Sequence, residues 1–321
     1  MTLPLRLVPQ AGPSVWTGAA LSPSDWMLPI GGEAVTEIEA ALVALGGRAP
    51  ASAAEAPLPQ LGPLLREVAE RLEHGRGFAL LRGLDLGRLA GPAAEAALLV
   101  LGAHLGTPLA QDAGGAVIGR VAGPGADPAT GAAGPLRFHA DPADAVALLC
   151  LRQPRVGGQV TLVSAPALHN ALLKADRAAL GVLHGGLPHR HAGGDPLLLP
   201  VFSTASGSFV GRYDGDALED AALEPAQRAA LAALKDAAAA PGQALTLSLH
   251  AGDLLLLNPH LVWKQVSAMA APAEDARELL RLWLSTPGSR ALPESFGAVF
   301  GTTAAGAPRG GVPVAPGLVG G

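Results

Sequence analysis

Apolar residues recur at three- and four-residue spacing in "GEAVTEIEAALVALGG" and in "LGPLLREVAERLEHGRG", and each stretch closes on glycine. That is the pattern of an amphipathic helix with a glycine stop. "FALLRGL" then reads as a short strand and "GPAAEAALLVLGAHLG" as a third helix. From residue 117 the texture changes to short apolar runs: "AVIGRVA", "AVALLCL", "QVTLVS", "LPVFS", "FVGRY", "LTLSL", "DLLLLNP" and "ELLRLWLS". Such runs, punctuated by Gly, Pro and Asp, predict a mainly β core. Two helices interrupt it, "APALHNALLKA" and "EPAQRAALAALKDAAAA", the alanine run 237–240 ending the second. The tail "GTTAAGAPRGGVPVAPGLVGG" is expected to be mobile. No internal repeat and no long linker divides the chain. The expectation is therefore one domain over residues 1–321, helical from about 30 to 110 and β-rich from about 111 to 300.

Composition narrows the class. At 321 residues, 49% hydrophobic and 15% charged, the chain can bury a sizeable core and is not generally disordered. Its 22 basic and 27 acidic residues give a net charge of −5, which argues against nucleic acid or an anionic membrane as partner. The single cysteine, Cys150, excludes an intrachain disulfide and suits a reducing compartment. The opening "MTLPLRLVPQAGPSVW" lacks the apolar core of a signal peptide, and no 18-residue apolar span follows. A cytoplasmic protein handling a small molecule is the expectation, with self-association left open. Only three lysines occur, Lys174, Lys235 and Lys264, a scarcity that a GC-rich genome would explain.

Candidate chemistry begins at "RFHADPADAV", where His139 and Asp141 stand two apart. On a strand, such residues share one face, as two ligands of a divalent metal must. H-x-D alone is a weak signal that occurs often by chance, and on its own it reads first as a surface pair. The surrounding stretch, "FHADPADAVALLCLRQPRVGGQVTLVSAPALHNALL", closely resembles the signature block of the taurine dioxygenase / clavaminate synthase-like family of iron(II)- and 2-oxoglutarate-dependent oxygenases. "HGRGFALLRGL", "LGAHLGTPLAQD", "FVGRY", "AGDLLLLNPHLV" and "RELLRLWLSTPGSRALPESF" follow that family's order, over roughly residues 14 to 312. The resemblance implies an α+β fold with a double-stranded β-helix (jelly roll) core and flanking helices. It also implies iron(II) held by two histidines and a carboxylate, with 2-oxoglutarate and oxygen on the remaining positions. Oxidative decarboxylation of the keto acid then arms an oxidant that abstracts hydrogen from a small substrate.

On this pattern His139 and Asp141 are the metal ligands. Arg277 matches the arginine that takes the far carboxylate of 2-oxoglutarate, a task suited to a planar guanidinium. Arg281 lies where some relatives hold an anionic substrate, and Gln111 matches a polar residue near the cofactor pocket. Two positions depart from the pattern. Lys264 occupies the place of the distal histidine, and an ammonium has no lone pair until its pKa falls from roughly 10.4. Val160 stands where relatives offer a hydroxyl, with Thr161 beside it as the remaining cofactor-side candidate, although strand alternation turns Thr161 to the other face. Lys264 could instead pair with Asp141 and fill the vacated position. His260 shares the parity of Lys264 but is four residues, roughly 13 Å of strand, away. "PHRHAGGD" places His189 and His191 in a segment better suited to substrate contact. Three readings stay open: an oxygenase with an altered iron site, a metal-free relative that binds a small ligand, and a non-redox enzyme using Lys264 as base or Schiff-base former.

Overall fold

The computed structural model describes residues 7–122, 138–190, 194–218, 222–266 and 277–314. The helices are α1 (Gly32–Leu45), α2 (Leu61–Glu73), α3 (Pro92–Ala103), α4 (Ala165–Ala175), α5 (Arg177–Leu183), α6 (Pro225–Ala239) and α7 (Gly297–Phe300). The strands of the first half are β1 (Met27–Pro29), β2 (Phe78–Arg82), β3 (Thr107–Pro108), β4 (Ile118–Ala122), β5 (Ala145–Arg152), β6 (Val160–Ser164) and β7 (Leu187–His189). The second half contributes β8 (Leu197–Leu199), β9 (Phe202–Ala205), β10 (Ser208–Gly211), β11 (Leu245–Leu247), β12 (Leu254–Leu257), β13 (Val262–Val266) and β14 (Glu278–Ser285). The helix ends follow local chemistry. Gly46 takes a left-handed φ of 59° after α1, Ser164 Oγ accepts from Ala167 N at 3.0 Å to start α4, and Asp176 does the same for α5.

A seven-stranded sheet runs β1-β2-β12-β5-β14-β3, with β4 also paired to β14, and every pairing but β1–β2 is antiparallel. A second sheet, β11-β6-β13, has three strands. Period-two alternation sorts the large sheet into two faces. Ala79, Leu81, Ala147, Leu149, Leu254, Leu256, Leu280, Leu282 and Leu284 share a core with α1–α3. Phe78, Leu80, Val146, Leu148, Cys150, Leu255, Leu257, Leu279 and Trp283 belong to the core that includes Val160, Leu162 and Val262 of the small sheet and residues of α4–α6. β5, β12 and β14 are buried on both sides, which is why they read as unbroken apolar runs rather than alternating ones.

The sequence-based helices and most strands fall where expected. The alanine run does end α6, at Ala239. The tail is a correction. Residues 309–312 are tied to the core, with Arg309 only 3% exposed and backbone N–H groups on carbonyl partners, Gly310 on Phe300, Gly311 on Pro142 and Val312 on Ala110, while residues 315–321 lie outside the described residues. Among the described residues no helix is long and apolar enough to cross a membrane.

Candidate functional site

Three short segments converge between the two sheets. The first, residues 138–144, carries His139 and Asp141. The expectation of an H-x-D strand is corrected here: His139 makes only isolated bridges, with Asp214 and Lys264, and Pro142 lies in the loop that follows. His139 N–H donates to Lys264 O at 3.0 Å, so β13 delivers Lys264 directly opposite the imidazole. Lys264 pairs with Leu162 of β6, which gives it the inward parity shared by Val262 and Val266. The third segment is β14, whose odd-numbered positions, including Arg281 and Trp283, point the same way.

The geometry centres on one ammonium. Lys264 Nζ lies 2.8 Å from His139 Nε2 and forms a direct ion pair with Asp141 Oδ2. An ammonium only donates, so Nε2 is the acceptor and the ring proton belongs on Nδ1. Asp141 Oδ1 accepts from Trp283 Nε1 at 3.1 Å and faces Arg281 Nη1 at 3.6 Å. Burial alone would raise the Asp141 pKa. The Lys264 charge, with His139 and Arg281 adding to it and Lys264 hydrogen bonding, outweighs that and holds the carboxyl well below the usual carboxylate range. Arg281 is itself fixed. Its Nε donates to Gln111 Oε1 at 2.7 Å, its guanidinium carbon sits 4.6 Å from the Trp283 ring centroid, and Gln111 Nε2 donates to Arg281 O and Val117 O. Gln111 and Arg281 thus form one unit that buttresses Asp141.

Arg277 immediately precedes β14. It is buried, one N–H is 3.5 Å from Gly158 O, and Nε has no hydrogen-bond partner. Burial pulls its pKa down, with Cys150 nearby acting the other way. An under-paired guanidinium in such a place is suited to a carboxylate. Val160, fully buried, faces inward at the end of β6, while Thr161 does not. Thr161 is corrected as a cofactor-side candidate: strand alternation turns it outward, where its hydroxyl lies 3.2 Å from that of Thr246 and it lines an outer cavity with Gln265 and Tyr213.

Among the described residues no other histidine joins His139 and Asp141. His260 rests against Phe300 and lies 3.8 Å from Asp144. The ring nitrogen of His189 meets its own strand at Leu187 O, 2.9 Å away. His191 lies outside the described residues. Among the described residues, no group of three or more His, Cys, Asp or Glu could hold a metal ion. An iron bound by Nε2 and Oδ2 at the usual length of roughly 2.1 Å would fall where Nζ now stands. The donor set as arranged therefore does not fit iron. Sequence reasoning missed Trp283, although its odd position on β14, two after Arg281, was signal enough. It also missed Asp144, whose only sequence cue is the repeated A-D of "ADPAD".

The taurine catabolism dioxygenase TauD, TfdA family matches residues 44–283. FR-33289 synthase of Streptomyces rubellomurinus (strain ATCC 31215) is 29% identical over 264 residues, spanning 75% of this chain and 78% of that protein. Among solved structures, asparagine oxygenase in complex with Fe(II), 2S,3S-3-hydroxyasparagine and succinate superposes with a TM-score of 0.64 at 18% identity, covering 81% of this chain and 94% of the other. The non-heme iron oxygenase OrfP in complex with Fe and alpha-ketoglutaric acid gives 0.60 at 17% identity, with the same coverage. At such identities the structures speak for the fold alone.

Proposed function

We propose, from the premise that the chain belongs to the TauD/TfdA dioxygenase family, that it binds a small acidic molecule without iron, the Lys264 ammonium standing in the place of the metal. On this reading the two sheets form the jelly roll of the family, in one domain, and Lys264 replaces its distal histidine. The observation that carries the reading is the position of Nζ, in contact with both His139 Nε2 and Asp141 Oδ2. A cation already neutralises the carboxylate, and a divalent ion would meet a like charge at the same point. Arg277 supports the second half of the reading, because its under-paired guanidinium favours a carboxylate ligand such as a 2-oxo dicarboxylic acid.

Retention of His139, Asp141 and Arg277 together favours a second reading, an oxygenase using iron(II) and 2-oxoglutarate on an unknown small substrate after Lys264 swings away. The third, Lys264 as base or Schiff-base former, is opposed by the ion pair to Asp141, which favours the protonated amine. Anaerobic addition of iron(II) and 2-oxoglutarate separates them. The proposal expects no visible charge-transfer band and no heat of iron binding, while 2-oxoglutarate alone binds and Arg277→Met abolishes that binding. Lys264→His is expected to gain both the band and iron uptake. A band from the unmodified protein would establish the second reading. A borohydride-trapped adduct at Lys264 with a carbonyl ligand would establish the third.

A further inference from the structure

The family match ends at residue 283, and the segment from 302 to 312 lies beyond it. That segment crosses the loop carrying Asp141 and is tied to it at two points. Gly311 N–H donates to Pro142 O at 2.8 Å, and Arg309 Nε donates to Asp144 Oδ1 at 2.8 Å, with Nη2 in ion-pair contact with the same oxygen at 2.7 Å. Asp144 Oδ2 takes Thr286 N–H at 3.1 Å and the Ser285 hydroxyl at 3.3 Å, and the same hydroxyl accepts from Arg309 N at 3.1 Å. The remaining N–H groups of Arg309 reach the carbonyls of Arg290 and Ala304, at 2.6 and 3.0 Å. Pro142 and Asp144 thus bracket the residues that follow Asp141, and both are gripped by one segment. The next residue reaches a second loop: Val312 N–H donates to Ala110 O at 2.8 Å, immediately before Gln111, which holds Arg281.

The approach is close enough to demand glycine. A Cβ on Gly310 would stand 2.5 Å from Pro142 O, and one on Gly311 2.8 Å from Ala110 O, and both residues have left-handed φ values, 88° and 75°. Backbone packs on backbone at both loops, so the segment's position sets theirs.

We propose that residues 302–312 form a strap that sets the position of Asp141 and, through Ala110 and Gln111, of Arg281, with Arg309 as its positioning residue. The strap acts whether the pocket holds an ammonium or a metal. The reporter is the Trp283 indole, which donates to Asp141 Oδ1 and stacks on Arg281. The test is a ¹H–¹⁵N spectrum of the four tryptophan indoles in the full chain, assigned with Trp283→Phe and recorded well below the melting midpoint. Arg309→Met is expected to move the Trp283 resonance while those of Trp16, Trp26 and Trp263 stay in place, and Arg309→Lys is expected to restore it in part. A folded Arg309→Met protein with an unmoved Trp283 indole overturns the proposal, as does a shift of all four indoles alike. Should Arg309→Met fail to fold, Gly311→Ala displaces the strap with Arg309 intact, and the same two outcomes decide. No metal or ligand enters the measurement, so its failure leaves the reading of Lys264 untouched, and the reverse.

Discussion

Asp141 and Asp144 stand three residues apart on one loop, both almost wholly buried, and their surroundings could hardly differ more. Asp144 sits in a nest of fixed donors: the Arg309 guanidinium on one oxygen, a backbone N–H and a hydroxyl on the other. Its burial would raise its pKa, and the neighbouring His260 and Arg309 more than offset that. Asp141 relies on an ammonium at the end of four methylenes, a guanidinium 3.6 Å away and one indole. The first is a structural carboxylate satisfied by rigid partners. The second is a carboxylate whose direct ion-pair partner is one flexible cation. Fixed partners build architecture, whereas a rotatable one leaves a position that can change occupant.

The largest effects should test that contrast directly. Arg309→Met leaves a buried carboxylate beside a neutral imidazole and is expected to lower unfolding free energy by about 3–5 kcal/mol. Lys264→Met leaves Asp141 with Arg281 and Trp283, so a loss of about 1–3 kcal/mol is expected. Urea unfolding of both variants checks the pair. Equal losses, or the reverse order, would show that the two carboxylates are not held in different ways.

Acid probes the same contrast more gently. Burial pulls His184 and His260 down to about 4, so both stay neutral in the fold at pH values where the unfolded chain takes up protons. Between pH 6.5 and 4 the unfolded state therefore binds more protons, and stability falls as pH falls. Asp144, held below its ordinary value of 3.8, adds a second loss with the same sign, beginning only below that value. Urea midpoints followed against pH should decline in these two stages, and His260→Gln should flatten the first. A midpoint constant from pH 6.5 to 4 would contradict the burial of both imidazoles.

How much of this was legible follows from what kind of signal each residue carries. Alternation fixed the facing of β6, and with it the inward Val160 and outward Thr161, because a strand has only two faces. The convergence of Lys264 on Asp141 was legible from the family's order of blocks, not from spacing, since 123 residues separate them. The strap was not legible. "GAPRGGVPV" has the composition of a mobile tail, and nothing in it announces that Arg309 has a buried carboxylate waiting 165 positions earlier. Glycine there served close approach rather than flexibility, two uses that sequence alone does not separate. The strand expected at H-x-D failed for a related reason: Pro142 and the ties to the strap and β14 fix a loop where a two-residue period suggested pairing.

Arg277 extends the comparison to a buried cation that, among the described residues, has no carboxylate partner. Without ligand, Arg277→Met is expected to stabilise the chain by about 1 kcal/mol, because it removes a buried charge that no described carboxylate neutralises. With 2-oxoglutarate present the order should reverse, as only the unmodified protein gains stability from binding. Thermal melts with and without the acid check both halves. A destabilised variant in the absence of ligand would mean that Arg277 has a structural role like that of Arg309.

The smallest effect concerns the core beside Arg277. Cys150 is fully buried on β5, and burial, with Asp253 adding to it, pushes its thiol up to about 12 despite the nearby guanidinium. A thiol so held is a small apolar group rather than a nucleophile, and its reaction with iodoacetamide near pH 8 should be negligible in the native chain and complete in urea. If the region around Asp141 opens readily when Lys264 leaves it, Lys264→Met should admit the reagent to Cys150 at a measurable rate. Arg309→Met, compared at equal global stability, should do so less, because the Asp144 nest faces the strap rather than that core. Identical rates in the two variants would mean that alkylation follows global unfolding alone, and that the surroundings of Asp141 are no looser than the nest that holds Asp144.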